Sequence, residues 1–389
     1  MNDNENVRVA NIIEDGRLGG PQIRIAEVAK RLKEKGIETT VIYPRLQSEA
    51  FQQRLDKYGI HNICLPLHRL TKDKKHLFQY FIFFFYELFV LYRFLKKEKF
   101  DIIHCSGGAW QYKGVIAGKM AGIKTLWHLN DTYMPYFLRF LFHILASRCA
   151  DGFIVAGKRV EEYYIRKLGS IEKSLFEIQA PVDTSFFDPA QAHYDSKIQK
   201  KNSVHIVSVG NVNPLKGYEY FIQMGRLLNR QYDNLNFFIV GPHFDSQKAY
   251  SDKLHKLCDE LGMKNLYFSG SCQDVRSVLK MADIYVCSST TEASPLSVWE
   301  AMSMEKAIVS TNVADVSRFI SNGENGFIVP TKDPEALAKK VSLLIKDTDL
   351  RKSFGRKARE TAKKCLDIQI VVERHVEAYR TILGKKHRA

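Results

Sequence analysis

The sequence has no C-x-x-C pair: its seven cysteines stand apart at 64, 105, 149, 258, 272, 287 and 365. Scattered thiols suit neither a zinc site nor a disulfide framework, and they point to a reducing compartment. No Asp-x-Asp pair closes an apolar run, so no catalytic metal is expected. The stretch MNDNENVRVANII lacks a basic-then-apolar region, so no secretion signal is expected there. Internal repeats and low-complexity tracts are absent. So is any recognisable nucleic-acid-reading module, which leaves the net charge of +15 to an anionic partner such as a membrane surface or to solubility alone. An apolar content of 45% excludes a disordered chain, and 389 residues exceed one ordinary core, so two domains are expected.

The positive charge is concentrated. Residues 51–150 hold 15 Lys/Arg against 6 Asp/Glu, residues 351–389 hold 12 against 4, and the rest nearly balances. Inside the first block lies the chain's most apolar run, HLFQYFIFFFYELFVLYRFL (76–95). Gln79, Glu87 and Arg93 interrupt it, which makes it a poor spanning helix. It reads either as a helix buried on a sheet or as one resting in a bilayer interface. The flanking TKDKK (71–75) and KKEK (96–99) favour the interface, because a buried helix needs no basic collar.

Elsewhere apolar strand-like runs alternate with amphipathic helical stretches, the pattern of parallel α/β folding. VRVANII (7–13), ETTVIYP, FDIIHCSGG (100–108), KTLWHLND (124–131), DGFIVAG and KSLFEIQAPVD make one set. VHIVSVG (204–210), NFFIVGP (236–242), NLYFSGS (265–271), DIYVCSS (283–289) and KAIVST (306–311) make a second. The expected architecture is two Rossmann-like, doubly wound α/β domains facing a central cleft. An N-terminal domain is expected over 1–185, a linker over 186–203 and a C-terminal domain over 204–350. Basic helices over 351–389 are expected to pack back on the first domain.

Two segments of the second half carry chemistry. After VHIVSVG, with Gly210 at the strand end, comes NVNPLKG (211–217), where Lys216 before a helix suits a phosphate. After DIYVCSS comes TEASPLSVWEAM (291–302). Ser294 can cap the next helix and Pro295 can start it, leaving the N–H groups of Leu296 and Ser297 to form a second cradle. Glu292 on the loop could accept hydroxyls of a sugar, and Glu300 the paired hydroxyls of a ribose. Singly, a turn lysine, a loop acid and a helix-surface acid account for these residues better than a ligand site does. In the first half, WHLND places His128 at a strand end; His104, in DIIHCSGG, reads as structural.

Taken together, EASPLSVWEAM, VGNVNPLKG and NGENGFIVP resemble the retaining glycosyltransferases of family 4, with the GT-B fold of two Rossmann-like domains. GRLGGPQIRIAEVAKRL, HLND and APVDTSFFDP extend the resemblance over nearly the whole chain. It implies that Glu292 contacts the donor sugar, Glu300 the ribose and Lys216 the diphosphate. Gly19 and Gly20 would bring a helix N-terminus onto that diphosphate, and His128 would touch the sugar near the reacting carbon. Two positions depart from the pattern. Asn211 stands where the family usually has arginine, with Arg17 or Arg24 as candidate substitutes, and NVADV (312–316) stands where a glycine pair is common.

The expected activity is metal-independent hexosyl transfer, with retention, from a nucleoside-diphosphate sugar (UDP before GDP) to a lipid-linked or cell-surface glycan. It needs no cofactor beyond the donor itself. The protein is expected in the cytoplasm, peripheral on the membrane's inner face through residues 71–99, with no nucleic-acid partner. A non-catalytic nucleotide-sugar scaffold is the alternative that Asn211 suggests. A dinucleotide oxidoreductase is disfavoured, since GRLGG lacks the G-x-G-x-x-G spacing.

Overall fold

The computed structural model describes residues 6–71, 73–132, 134–166, 173–193, 203–272, 274–292 and 294–384, without the side chain of Lys75. Residues 194–202, half of the segment read as a linker, lie outside these. The chain forms two compact units, Met1–Ala180 with Ile368–Ala389, and Pro181–Asp367.

The first unit opens with β1 (Val7–Ile12), α1 (Gly20–Leu32), β2 (Ile37–Pro44), α2 (Glu49–Lys57), β3 (Asn62–Leu65) and α3 (Lys74–Glu98). It continues with β4 (Ile102–Cys105), α4 (Tyr112–Ala121), β5 (Lys124–Leu129), α5 (Tyr136–Cys149), β6 (Gly152–Val155), α6 (Lys158–Tyr164) and β7 (Ser174–Glu177). The seven strands form one parallel sheet in the order β3-β2-β1-β4-β5-β6-β7. Helices cover both faces, so the central strands are apolar without alternation: every residue of β4 and β6 is buried.

The second unit has β8 (Val204–Val209), α7 (Tyr218–Asn229), β9 (Leu235–Val240), α8 (Lys248–Glu260), β10 (Leu266–Gly270), α9 (Val275–Met281) and β11 (Ile284–Cys287). α10 (Leu296–Ser303), β12 (Ala307–Thr311), α11 (Val316–Phe319), β13 (Phe327–Val329), α12 (Pro334–Lys346) and α13 (Thr348–Cys365) complete it. Its parallel sheet runs β10-β9-β8-β11-β12-β13. In both sheets the winding reverses beside the first strand of the unit, at β1/β4 and at β8/β11. Ligands of such sheets sit beyond the carboxyl ends of the strands at that switch point.

The last helix, α14 (Ile368–Ile382), belongs to the first unit, whereas α13 belongs to the second. The sequence reading had grouped residues 351–389 as one basic block. The apolar faces separate them: Ile368, Val371, Val372, Val376 and Tyr379 of α14 pack on Val7, Val9, Ile102, Leu126 and Ile154 of the first sheet. Ala358 and Ala362 of α13 pack among Trp299, Met302 and Ile308 of the second unit.

The other face of the first sheet carries α3, α4 and α5, and α4 touches both neighbours. α3 is long and apolar enough to cross a bilayer, yet one side of it is tied into the unit. Glu87 is buried, accepts from Lys113 Nζ of α4 at 2.6 Å and from the His68 N–H at 2.9 Å, and also meets the His68 ring. Lys113 lies over the Tyr80 ring at 4.1 Å and within 3.7 Å of buried Glu14. Burial pushes the Glu14 carboxyl above its ordinary range, against the pull of Lys113. Removing one partner of a buried ion network leaves the others uncompensated. Lys113→Met is therefore expected to cost about 3–5 kcal/mol, seen by calorimetry as a transition lowered by about 10 °C. A shift below 2 °C would mean the network contributes nothing.

Candidate functional site

In the second unit the loops leaving β8 and β11 are laced together. Asn213 caps a short turn, Pro214–Lys216, by accepting from the Leu215 N–H at 3.0 Å. Thr290 N–H donates to the Leu215 carbonyl at 2.8 Å, and Ser288 Oγ to the Lys216 carbonyl at 2.9 Å. Two glycines make the approach feasible. At Gly217, φ is 59° and a Cβ would stand 2.3 Å from the Ser288 carbonyl oxygen. At Gly210 a Cβ would stand 2.8 Å from Lys216 Cε. The lysine side chain thus runs back along the strand end into the loop of β11.

There Lys216 Nζ donates to Glu292 Oε1 at 2.6 Å, and Ser289 Oγ donates to the same oxygen at 2.8 Å. Burial works against the Lys216 ammonium, but the Glu292 carboxylate outweighs it and holds the pKa above the ordinary lysine value. Glu300, in the second turn of α10, is half-buried, and its carboxyl has no hydrogen bond or ion pair among the described residues. Burial raises its carboxyl to about 8, and nearby Lys216 pulls the other way. The structure therefore brings Gly210, Lys216, Glu292 and Glu300 to one switch point. Asn211 sits half-buried beside them.

The helix start differs from the sequence reading. Pro295 occupies the N-cap position and α10 begins at Leu296. Ser294 does not cap: its hydroxyl takes the Trp299 indole N–H at 3.2 Å. The Leu296 N–H is spent on the Ser294 carbonyl at 3.0 Å. Of the proposed cradle, Ser297 retains the expected place at the positive end of the helix, and Leu296 does not.

Glu300 has a pH signature. Its carboxyl is held above the ordinary 4.5 in the folded chain, so the neutral form is favoured there. That contribution to stability is fully present below the ordinary value and is lost as pH rises through about 8. Glu300→Gln should melt above the wild type at pH 9, by about 2–4 °C for each kcal/mol recovered, and the gap should close at pH 5. A pH-independent gap in scanning calorimetry would contradict this.

In the first unit, Gly19 is the N-cap of α1 and Gly20 its first residue, with no acid in the first turn. The positive end of that helix dipole therefore has no acidic side chain of its own first turn against it. Arg17 is not a spare cation, because it pairs with Asp15 at 2.7 Å. Arg24 is buried and holds three acceptors: His128 Nε2 at 2.9 Å, Asn130 Oδ1 at 2.8 Å and the Ser106 carbonyl at 3.0 Å. The expected contact between His128 and a sugar is not what this arrangement offers. His128 is fully buried, and both ring nitrogens are engaged, by Arg24 and by His104. Nothing in the sequence near His128 announces Arg24, which is 104 residues away.

Comparison with known proteins gives these features a context. A family model described as Glycosyl transferases group 1 matches residues 191–361, and one described as Glycosyltransferase Family 4 matches residues 18–186. The N,N'-diacetylbacillosaminyl-diphospho-undecaprenol alpha-1,3-N-acetylgalactosaminyltransferase of Campylobacter jejuni is 24% identical over 377 residues, 92% of this chain and 94% of that protein. The UDP-Gal:alpha-D-GlcNAc-diphosphoundecaprenol alpha-1,3-galactosyltransferase of Escherichia coli is 26% identical over 277 residues, 67% of this chain and 70% of that one. Among solved structures, Anabaena HepE in complex with UDP superposes with a TM-score of 0.80 at 18% identity, covering 96% of this chain and all of that one.

Proposed function

The chain belongs to the family 4 glycosyltransferases, with the GT-B fold of two Rossmann-like domains, and on that footing we propose that it moves a sugar from a nucleoside-diphosphate sugar to an acceptor hydroxyl with retention at the anomeric carbon. The observation that carries this reading is the Lys216–Glu292 pair beside an unpartnered Glu300 at the β8/β11 switch point. On donor binding the diphosphate takes over Lys216. Glu292 is then released to accept hydroxyls of the donor sugar, and Glu300 accepts those of the ribose. Hydroxyls donating to a carboxylate favour its charged form.

In the reaction the bond from C1 to the diphosphate oxygen breaks and a bond from C1 to the acceptor oxygen forms on the same face. The acceptor proton passes to the departing phosphate oxygen, so Glu292 positions the sugar and is not a base. The barrier is charge separation, and Lys216 with the helix N-terminus at Ser297 would supply preorganised stabilisation. No metal is invoked: Lys216 and the helix dipole take that part. Uridine is the favoured base, supported by the UDP-bound structural neighbour and the donor named for the Escherichia coli relative.

The acceptor is read from the first unit. α3 exposes Phe78, Phe81, Ile82, Phe83, Phe85, Tyr86 and Phe89, and α5 adds Tyr136, Phe137, Phe140 and Leu141. Exposed apolar residues at this density mark an interaction surface. Lys74, Arg93, Lys96 and Lys97 on α3 suit an anionic bilayer, and two relatives are named for undecaprenol-linked substrates. We therefore place the protein on the inner face of the cytoplasmic membrane, acting on a lipid-linked glycan. Incubation with UDP-sugars, acceptor lipid and EDTA should release UDP and give a product of unchanged anomeric configuration. Donor binding without turnover on any acceptor would favour the scaffold that Asn211 suggests.

A further inference from the structure

In the first unit His104 of β4, His128 of β5 and His375 of α14 are fully buried, with nitrogen atoms all within 4.8 Å of one another. By spacing alone they would suit a metal ion. Their neighbour decides otherwise. Arg24 of α1 stands against the group, and no carboxylate lies within 4 Å of it among the described residues. A cation placed between these rings would face a buried guanidinium with nothing to offset the repulsion.

The arginine also gives the hydrogen bonds a direction. A guanidinium has only donors, so at 2.9 Å from Arg24 Nη1 the His128 Nε2 atom accepts. The His128 proton then sits on Nδ1, 3.0 Å from His104 Nε2, with the two rings parallel to within 2°. His104 Nε2 accepts in turn, which puts its proton on Nδ1, 2.7 Å from the Tyr379 hydroxyl of α14. Burial, with Arg24 beside it, holds His128 well below its ordinary pKa, and burial with His375 and Arg24 does the same for His104. Both rings are neutral at pH 7. The same guanidinium holds Asn130 and the Ser106 carbonyl, which begin the loops beyond β5 and β4.

We infer that Arg24 is a positioning residue that sets the Nδ1–H tautomer of both His128 and His104 and, through them, ties α14 to the loops at the carboxyl ends of β4 and β5. Its bearing on transfer rests on the proposed function, since those loops lie where a doubly wound sheet receives ligand. The tautomers do not depend on it. A histidine side chain in water favours the Nε2–H tautomer; here a chain of one-way donors imposes the Nδ1–H form.

The test is a two-bond 1H–15N correlation spectrum of the full chain labelled at histidine, with the two rings assigned through His104→Gln and His128→Gln. At pH 7 both should show a protonated Nδ1 and a bare Nε2. In Tyr379→Phe, which keeps the ring and removes the acceptor, both rings should hold their tautomers, because Arg24 still donates to His128 and His128 still donates to His104. In Arg24→Met, by contrast, both rings should lose that preference. An Nε2–H or doubly protonated ring at either position in the wild type overturns the inference. So does retention of the His128 tautomer in a folded Arg24→Met, or a raised melting temperature with one equivalent of Zn2+ that is lost in His104→Gln. If the tautomers are as expected and transfer is never found, only the proposed function fails.

Discussion

Lys216→Ala is expected to lower the rate of sugar transfer by about 10²–10³-fold, the usual cost of removing one preorganised charge from a site where negative charge develops. The effect should fall mainly on the chemical step, because the diphosphate gains charge as it leaves. Asn211 sharpens the expectation: it stands where a second cation is usual, so this loop has Lys216 alone to offer. Folding should suffer little, since Glu292 keeps its bond from Ser289 and retains partial contact with water. Lys216→Arg keeps the charge on a bulkier group and should recover part of the rate. Initial rates of nucleotide release check this, and a loss of less than threefold would remove Lys216 from the mechanism.

The second large effect concerns the exposed aromatics. Phe81, Phe85 and Phe89 are four residues apart on one face of α3 and are 62%, 79% and 51% exposed. Each aromatic side chain transferred from water contributes about 1.5–3 kcal/mol. Replacing all three by serine should therefore weaken binding to anionic vesicles by about 10³-fold or more. The fold should hold, because the opposite side of α3, through Tyr80, Glu87, Leu91 and Leu95, is the buried one. Raised salt should weaken wild-type binding only in part, since each basic residue near the surface adds about 1 kcal/mol that screening removes. Vesicle sedimentation measures both, and a triple variant that binds like the wild type would detach this face from the membrane.

Much of the fold was legible because its strands are buried on both faces and read as unbroken apolar runs bounded by glycine and polar loops. β3 and β13, edge strands of four and three residues, were not read. The segments at the β8/β11 switch point were legible because lysine, proline and two acids fall at fixed distances from strand ends. The Ser294 cap failed because α10 starts one residue later than read, with Pro295 at the N-cap position and the Ser294 hydroxyl taking the Trp299 indole N–H. His128 was read as a ligand contact because its place at a strand end is visible and its partners are not. Arg24 and His104 reach it, and Tyr379 reaches His104, only after the sheet and α14 have assembled. The exposed face of α5 was hidden likewise, since its composition matches that of a buried helix and only packing shows which side meets water.

The central claim is that the second unit binds the nucleoside diphosphate of a sugar donor through Lys216 and Glu300. Thermal-shift titration with UDP, GDP, ADP and NAD tests it on the wild type, Lys216→Ala and Glu300→Ala. A ligand at 100 times its dissociation constant adds about 2.7 kcal/mol, a shift of about 5 °C or more for a domain of this size. UDP should produce that shift in the wild type, and both variants should lose it. No shift with any of the four nucleotides, or an equal shift in all three proteins, would contradict the account.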